Sequence, residues 1–219
     1  MKILVKFPSR SRPAKLFAAL DNYQKLATYD NYQIAITADL DDKSMMNPEV
    51  RDNINTYKNV ELLYGTSDNK VDAINRDMAF YQNWDILINM SDDMQFIQHG
   101  FDSIIVDDFK IHGLDTLMHY PDQAAGKALI TMAIMGREYF NRDGYIYNPE
   151  YKSLFCDNEQ HMVAQLRGCY QFKRTRLFNH MHPAWGLAPV DDLMRHTESF
   201  HAEDKATFER RKSLNFGIK

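Results

Sequence analysis

Apolar runs and amphipathic stretches alternate along the first half of the chain. Ile3 to Phe7 is a short apolar run, which predicts a buried strand, and it ends in the polar turn Pro8-Ser9-Arg10-Ser11-Arg12-Pro13. From Pro13 onward, Leu16, Ala19, Leu20, Tyr23, Leu26 and Ala27 recur at three- and four-residue spacing, the apolar stripe of a helix. Tyr32 to Ala38 predicts a second strand running into the acidic loop Asp39-Leu40-Asp41-Asp42. Asn47-Pro48 has the form of a helix cap, and Val60 to Tyr64 predicts a third strand closed by Gly65. Val71, Ile74, Met78 and Tyr81 predict a helix over residues 68–82, and Trp84 to Met90 a fourth strand that stops at Ser91-Asp92-Asp93. Strands alternating with helices imply an α/β fold with a mostly parallel central sheet flanked by helices. Ligands of such sheets sit beyond the carboxyl ends of the strands, so the loops at 8–13, 39–42, 65–70 and 91–93 are where chemistry is expected.

The second half is less regular. Phe101 to Phe109 and Asp157 to Arg167 read as helices, and Tyr170 to Leu177 alternates like a strand. Ala128 to Met135 is an apolar strand or buried helix, and residues 136–151 read as a structured loop with a short helix. From Arg195 the chain turns polar and helical, ending in Glu209-Arg210-Arg211-Lys212. No repeat or linker interrupts it, which favours a single domain over 1–219.

Composition narrows the function classes. The 219 residues carry 26 Lys+Arg against 30 Asp+Glu, a net charge of −4, which removes any broad electrostatic drive toward nucleic acid or anionic membrane. No apolar run approaches a membrane span, and the opening Met1-Lys2-Ile3-Leu4-Val5-Lys6 is too quickly charged for a signal peptide. Cys156 and Cys169, the only cysteines, fit neither a disulfide framework nor a thiolate zinc site, so a cytoplasmic location is expected. The 12 Tyr and 13 Phe either fill a core or wall a cleft.

Two adjacent carboxylates at a strand end, Asp92 and Asp93, repel one another, and a hard cation such as Mg²⁺ or Mn²⁺ relieves that repulsion. The same pair also suits an ordinary polar turn. Arg10 and Arg12 after strand one and Lys70 at a helix start fall on the same sheet edge, which suits a diphosphate beside a metal. Asp39, ending strand two, can accept a hydrogen bond from a nucleotide base or ribose. His180 and His182, at i and i+2, share one side of an extended segment, where both can face a metal. Trp185 can stack on a sugar face or fill the core.

In order along the chain, these features resemble the GT-A type glycosyltransferases, near the large family 2. Phe7-Pro8-Ser9-Arg10 matches the family's turn after strand one, and Asn69-Lys70-Val71-Asp72-Ala73-Ile74-Asn75 its helix start. Ser91-Asp92-Asp93 matches the Asp-x-Asp metal motif with serine at the first acid, leaving Asp93 as the metal ligand. The resemblance covers residues 3 to about 186 and implies a single GT-A (Rossmann-like) domain: a nucleotide-binding half to about residue 98, an acceptor and catalytic half to about 190, and a helical tail. It leaves room for no separate acceptor domain.

It also implies an enzyme that moves a sugar from a nucleotide-diphosphate sugar, such as a UDP-sugar, to an acceptor hydroxyl with inversion. Pro8, Ser9, Arg10, Arg12, Asp39, Lys70, Ser91 and Asp92 would hold the donor, and Asp93 with His180 or His182 would hold Mn²⁺ or Mg²⁺. Asp157, or second Glu159, would be the base, and both also suit the first turn of a helix. Arg137 and Tyr139 would border the sugar and acceptor, the latter a glycan, a lipid-linked sugar or a hydroxylated DNA base. Two other readings stand beside it. One is a nucleotidyltransferase making nucleotide sugars, disfavoured by the absence of glycine from Pro8–Pro13; the other is a nucleotide-sugar-binding module without chemistry.

Overall fold

Period-two alternation along β1 (Ile3–Pro8) sends Ile3, Val5 and Phe7 into one apolar core and Leu4 into another, so helices must cover both faces of the sheet that contains it. A computed structural model describes residues 1–218. The first half follows as α1 (Pro13–Leu26), β2 (Tyr32–Asp39), α2 (Pro48–Ile54), β3 (Val60–Gly65), α3 (Lys70–Asn75) and β4 (Ile86–Asn89). β1 lies between β2 and β4, and β2 pairs with β3, all in parallel register. The second half supplies β5 (Met94–Phe96), α4 (Phe101–His112), β6 (Leu117–His119), β7 (Ile134–Gly136), α5 (Arg137–Asn141), α6 (Cys156–Leu166), β8 (Tyr170–Phe172), β9 (Phe178–His180), α7 (Asp192–Glu198) and α8 (His201–Ser213).

The seven-stranded sheet has the order β3-β2-β1-β4-β7-β6-β8, so one sheet runs through both halves of the chain. β7 is antiparallel to both β4 and β6 and is the one strand in it that runs against the rest. β5 and β9 form a separate antiparallel pair, with Met94 opposite His180. No helix among the described residues is long and apolar enough to cross a membrane.

Three expected elements come out differently. The helix expected over 68–82 stops at Asn75, because Asp77 takes a left-handed backbone (φ 70°) and Arg76 turns inward to Asp39 (2.9 Å); Met78 and Tyr81 are still buried, from a short 3-10 turn. Of the strand expected over 170–177 only Tyr170–Phe172 forms, as β8, and β9 begins after it at Phe178, in the other sheet. Of residues 128–135, only Ile134 and Met135 belong to a strand. Asn47-Pro48 does open a helix: the Asn47 side chain accepts the Glu49 N–H at 2.9 Å.

Lys6 is a fully buried cation in β1. Its ammonium donates to Thr37 Oγ1 and lies 3.9 Å from Asp77. Burial drives its pKa down to about 7, with Asp77 opposing and the nearby Arg76 assisting. Between pH 7 and the ordinary lysine value the unfolded chain therefore binds the extra proton, so Lys6 makes stability rise with pH across that window. Lys6→Met is expected to be more stable than the parent at pH 7, with the difference shrinking toward pH 10. Urea titrations at the two pH values measure it.

Candidate active site

The β5–β9 pairing builds the centre of the site. With Met94 opposite His180, the next step of the ladder brings the Met181 N–H to the Asp93 carbonyl (2.7 Å) and lays the histidine segment beside the carboxylates that follow β4. Asp93, His180 and His182 each offer a ligand atom within 4.8 Å of the other two. His180 Nε2 is 3.4 Å from Asp93 Oδ2, and the Ser91 hydroxyl donates to Asp93 Oδ1. The serine at the first acid position of the motif thus orients the last one.

The charges of this cluster are strongly coupled. Burial opposes ionisation of Asp93, but the hydrogen bonds from His180 and Ser91 and the charge of Lys70 overcome it and hold the carboxyl well below the ordinary range. Burial likewise opposes protonation of His180, yet its position between Asp122 and Asp93 raises its pKa to about 9. His182 is pushed the other way, by burial and then by the His180 charge, and so tends to stay a neutral imidazole.

Around this centre the sheet edge is lined with the expected cations, of which Arg10 and Arg12 are each engaged by carboxylates. Arg12 donates to both oxygens of Asp191 (2.8 and 2.6 Å) and to Asp92 (3.1 Å), while Asp191 also caps α7. Asp92 is nearly buried, and burial raises its pKa despite Arg12. Arg10 bonds to Asp39 (2.9 Å) and twice to Asp41 (2.6 and 2.8 Å). The other Asp39 oxygen is held by Arg76, so Asp39 sits between two guanidinium groups. Pro8 ends β1, and Ser9 is buried with its N–H on the Thr37 carbonyl (2.9 Å) and its hydroxyl against Met45. Lys70 is exposed at the start of α3, within electrostatic range of Asp93 and Asp157. Arg76 and Asp191 were not among the expected residues: Arg76 read as an ordinary helix position, and Asp191 reaches Arg12 only through the tertiary fold.

Asp157 lies in the first turn of α6, within electrostatic range of Lys70 and His180. Burial raises its pKa, partly offset by the Asn158 N–H (2.9 Å) and by the charges of Lys70 and His180. Glu159, two residues on and hence about 200° around the helix, faces another way. Its carboxylate is buried and accepts from Tyr151 (2.7 Å), Asn148 (3.1 Å) and the Arg211 guanidinium (2.7 and 2.8 Å), which ties α8 to α6. The Glu159 carboxylate, the second one expected as a base, is instead engaged in joining α8 to α6.

Arg137 and Tyr139 also lie elsewhere. Because β7 runs antiparallel, Gly136 pairs with Ile86 at the start of β4, so the residues after β7 emerge at the opposite edge of the sheet. The Arg137 N–H bonds to the Asp85 carbonyl (2.8 Å) and its guanidinium covers the Trp84 ring at 4.4 Å, while Tyr139 is buried in the second core. Arg137→Ala is therefore expected to leave whatever chemistry the Asp93 cluster performs within about twofold of the parent while lowering the melting temperature, through loss of a cation–π contact worth about 1 kcal/mol. Paired kinetic and thermal measurements check it. Trp185 is exposed in a short 3-10 turn that begins just after His182.

A divalent cation fits this donor set. One carboxylate held ionised and two imidazoles converge, and the mixture of oxygen and nitrogen ligands suits Mn²⁺ better than Mg²⁺, which prefers all-oxygen shells.

No family model and no curated protein matches the sequence. Solved structures do match the fold. TarS 1–349 from S. aureus, in complex with UDP-GlcNAc, superposes with a TM-score of 0.69 at 11% identity, over 88% of this chain and 60% of that one. S. aureus TarS in a longer form gives 0.67 at 12% identity, over 96% and 43%. The mannosyltransferase PcManGT from Pyrobaculum calidifontis, in complex with GDP-Man and Mn²⁺, gives 0.64 at 12%, over 91% and 69%. The chain thus spans 60% and 43% of these two TarS chains, and its fold is the GT-A fold of these neighbours.

Proposed function

We propose that this chain is a metal-dependent glycosyltransferase that moves a sugar from a nucleotide-diphosphate sugar to an acceptor hydroxyl, with inversion. The observation that carries this reading is the convergence of Asp93, His180 and His182 at the carboxyl edge of the parallel strands, with Asp157 within electrostatic range of His180. The neighbours of like fold hold UDP-GlcNAc or GDP-Man, which supports the donor class.

In this reading Arg12 and Lys70 face the diphosphate, with Arg12 exchanging its Asp191 partner for phosphate oxygens. Asp39, Arg10 and Arg76 lie where the base and ribose would rest. Asp157 takes the acceptor proton as the acceptor oxygen forms its bond to the anomeric carbon. The bond from that carbon to the diphosphate breaks, and its electron pair leaves with the nucleoside diphosphate. Asp93, His180 and His182 would hold Mn²⁺, which when bound supplies Lewis-acid neutralisation of the leaving group. Trp185, exposed just beyond His182, would stack on a sugar. Two free cysteines fit a reducing cytoplasm. A glycan, a lipid-linked sugar or a hydroxylated DNA base is the acceptor class.

The serine at the first acid position favours one other reading, a module that binds the donor without turnover. Incubation with a panel of nucleotide sugars, followed by detection of released nucleoside diphosphate, separates the two. Turnover of at least one donor with Mn²⁺, abolished by a chelator, is expected. Donor binding without any metal-dependent release would favour the module.

A further inference from the structure

The loop between β6 and β7 carries two adjacent side chains that grip His180 from the side away from Asp93. The Gln123 amide forms a reciprocal pair with the backbone of His180: its Nε2 donates to the His180 carbonyl (2.8 Å), and the His180 N–H donates to its Oε1 (2.8 Å). This imitates one rung of a β-ladder and fixes the main chain of β9 where its strand partner β5 lies on the other side. Asp122, one residue earlier, has no exposed side-chain surface. Its Oδ1 accepts the N–H groups of Ala124 (2.8 Å), Ala125 (2.6 Å) and Gly126 (3.4 Å), and its Oδ2 accepts the Thr131 hydroxyl (2.8 Å).

That second oxygen also faces His180 Nδ1 at 3.7 Å, while the other ring nitrogen, Nε2, faces Asp93 at 3.4 Å. Nδ1 is buried and has no hydrogen-bond partner within ordinary distance. The ring therefore stands between a carboxylate of the metal cluster and a carboxylate whose oxygens are already engaged by its own loop. Asp122 is thus poorly placed to be a further ligand. Ordering the loop's backbone N–H groups would need only an amide, and a buried carboxylate carries a desolvation cost that an amide avoids. A negative oxygen beside Nδ1 is the arrangement by which metal-ligating histidines have their tautomer and ring plane fixed, leaving Nε2 free to bind the ion.

We propose that Asp122 and Gln123 are positioning residues for His180: Asp122 fixes the ring through Nδ1 and Gln123 fixes the backbone, so that Nε2 is presented to a divalent cation. This rests on the metal site proposed above. Asp122→Asn is the direct test, since the amide oxygen can keep the backbone N–H contacts while a neutral donor replaces the charged oxygen facing Nδ1. Mn²⁺ binding is measured by paramagnetic resonance on parent, Asp122→Asn and Gln123→Ala. The nitrogen couplings of the bound ion report how many imidazoles reach it.

The parent is expected to bind Mn²⁺ with couplings from two imidazoles. Asp122→Asn should weaken binding about 10- to 100-fold and lose one coupling, a change that a general loss of stability would not produce. Gln123→Ala, which leaves the Asp122 loop intact, should weaken binding several-fold and provides the test if Asp122→Asn does not fold. Parent-like affinity and couplings in the folded variants would overturn the proposal while leaving the metal site standing. No Mn²⁺ binding by the parent would overturn both.

Discussion

Asp157→Asn is expected to lower the turnover number of sugar transfer by about 10³-fold while leaving donor binding nearly unchanged. The carboxyl sits in the first turn of α6, where burial raises its pKa and so strengthens it as a base, partly offset by the Asn158 N–H and the charge of Lys70. Asparagine keeps the oxygen that accepts the Asn158 N–H at 2.9 Å, so the helix start is preserved while the proton acceptor is lost. Glu159 offers no substitute, because its carboxylate is already bound by Arg211, Tyr151 and Asn148. Steady-state kinetics with a saturating donor, together with donor affinity by calorimetry, separates the two effects. A variant within tenfold of the parent would remove Asp157 from the role of base.

Asp93→Asn should be as damaging by a different route. The variant is expected to lose Mn²⁺ affinity and with it about 10³-fold in donor turnover, a change of about 4 kcal/mol in transition-state stabilisation. Asp93 is the one carboxylate of the cluster held firmly ionised, oriented by Ser91 and paired to His180. An amide retains a hydrogen-bond acceptor for Ser91 but supplies no charge, so the donor set is reduced to two imidazoles. Metal binding and turnover should therefore fall together. Unchanged metal-dependent turnover in this variant would place the cation elsewhere.

The parts of this structure that were legible in the sequence are those set by local pattern. Apolar runs ending in Pro8, Asp39, Gly65 and Asn89 mark four parallel strands whose carboxyl ends carry Arg12, Asp39, Lys70 and Asp93. A run of apolar residues has no direction, however. Ile134–Gly136 is just such a run, and its antiparallel course is what removes Arg137 and Tyr139 to the far edge.

Strands of three residues are equally hard to see. β5 and β6 are too short to show a period, yet β5 is what brings His180 to Asp93. Asp122 and Gln123 sit in a loop with no periodicity at all, and their meaning comes from a partner 57 residues away in the case of Gln123 and His180. That Asp157 and Glu159 cannot both face one place, by contrast, follows from helical geometry alone, since i and i+2 do not share a helix face.

The most direct measurement is a calorimetric titration of the protein with UDP and with GDP, with Mn²⁺ present and again after chelation. Micromolar binding of one nucleoside diphosphate that requires Mn²⁺, and that is lost in Asp93→Asn, is the expected result. Failure of both nucleotides to bind in the presence of Mn²⁺, or binding that chelation leaves unchanged, would contradict a metal-assisted diphosphate site at Asp93, His180 and His182.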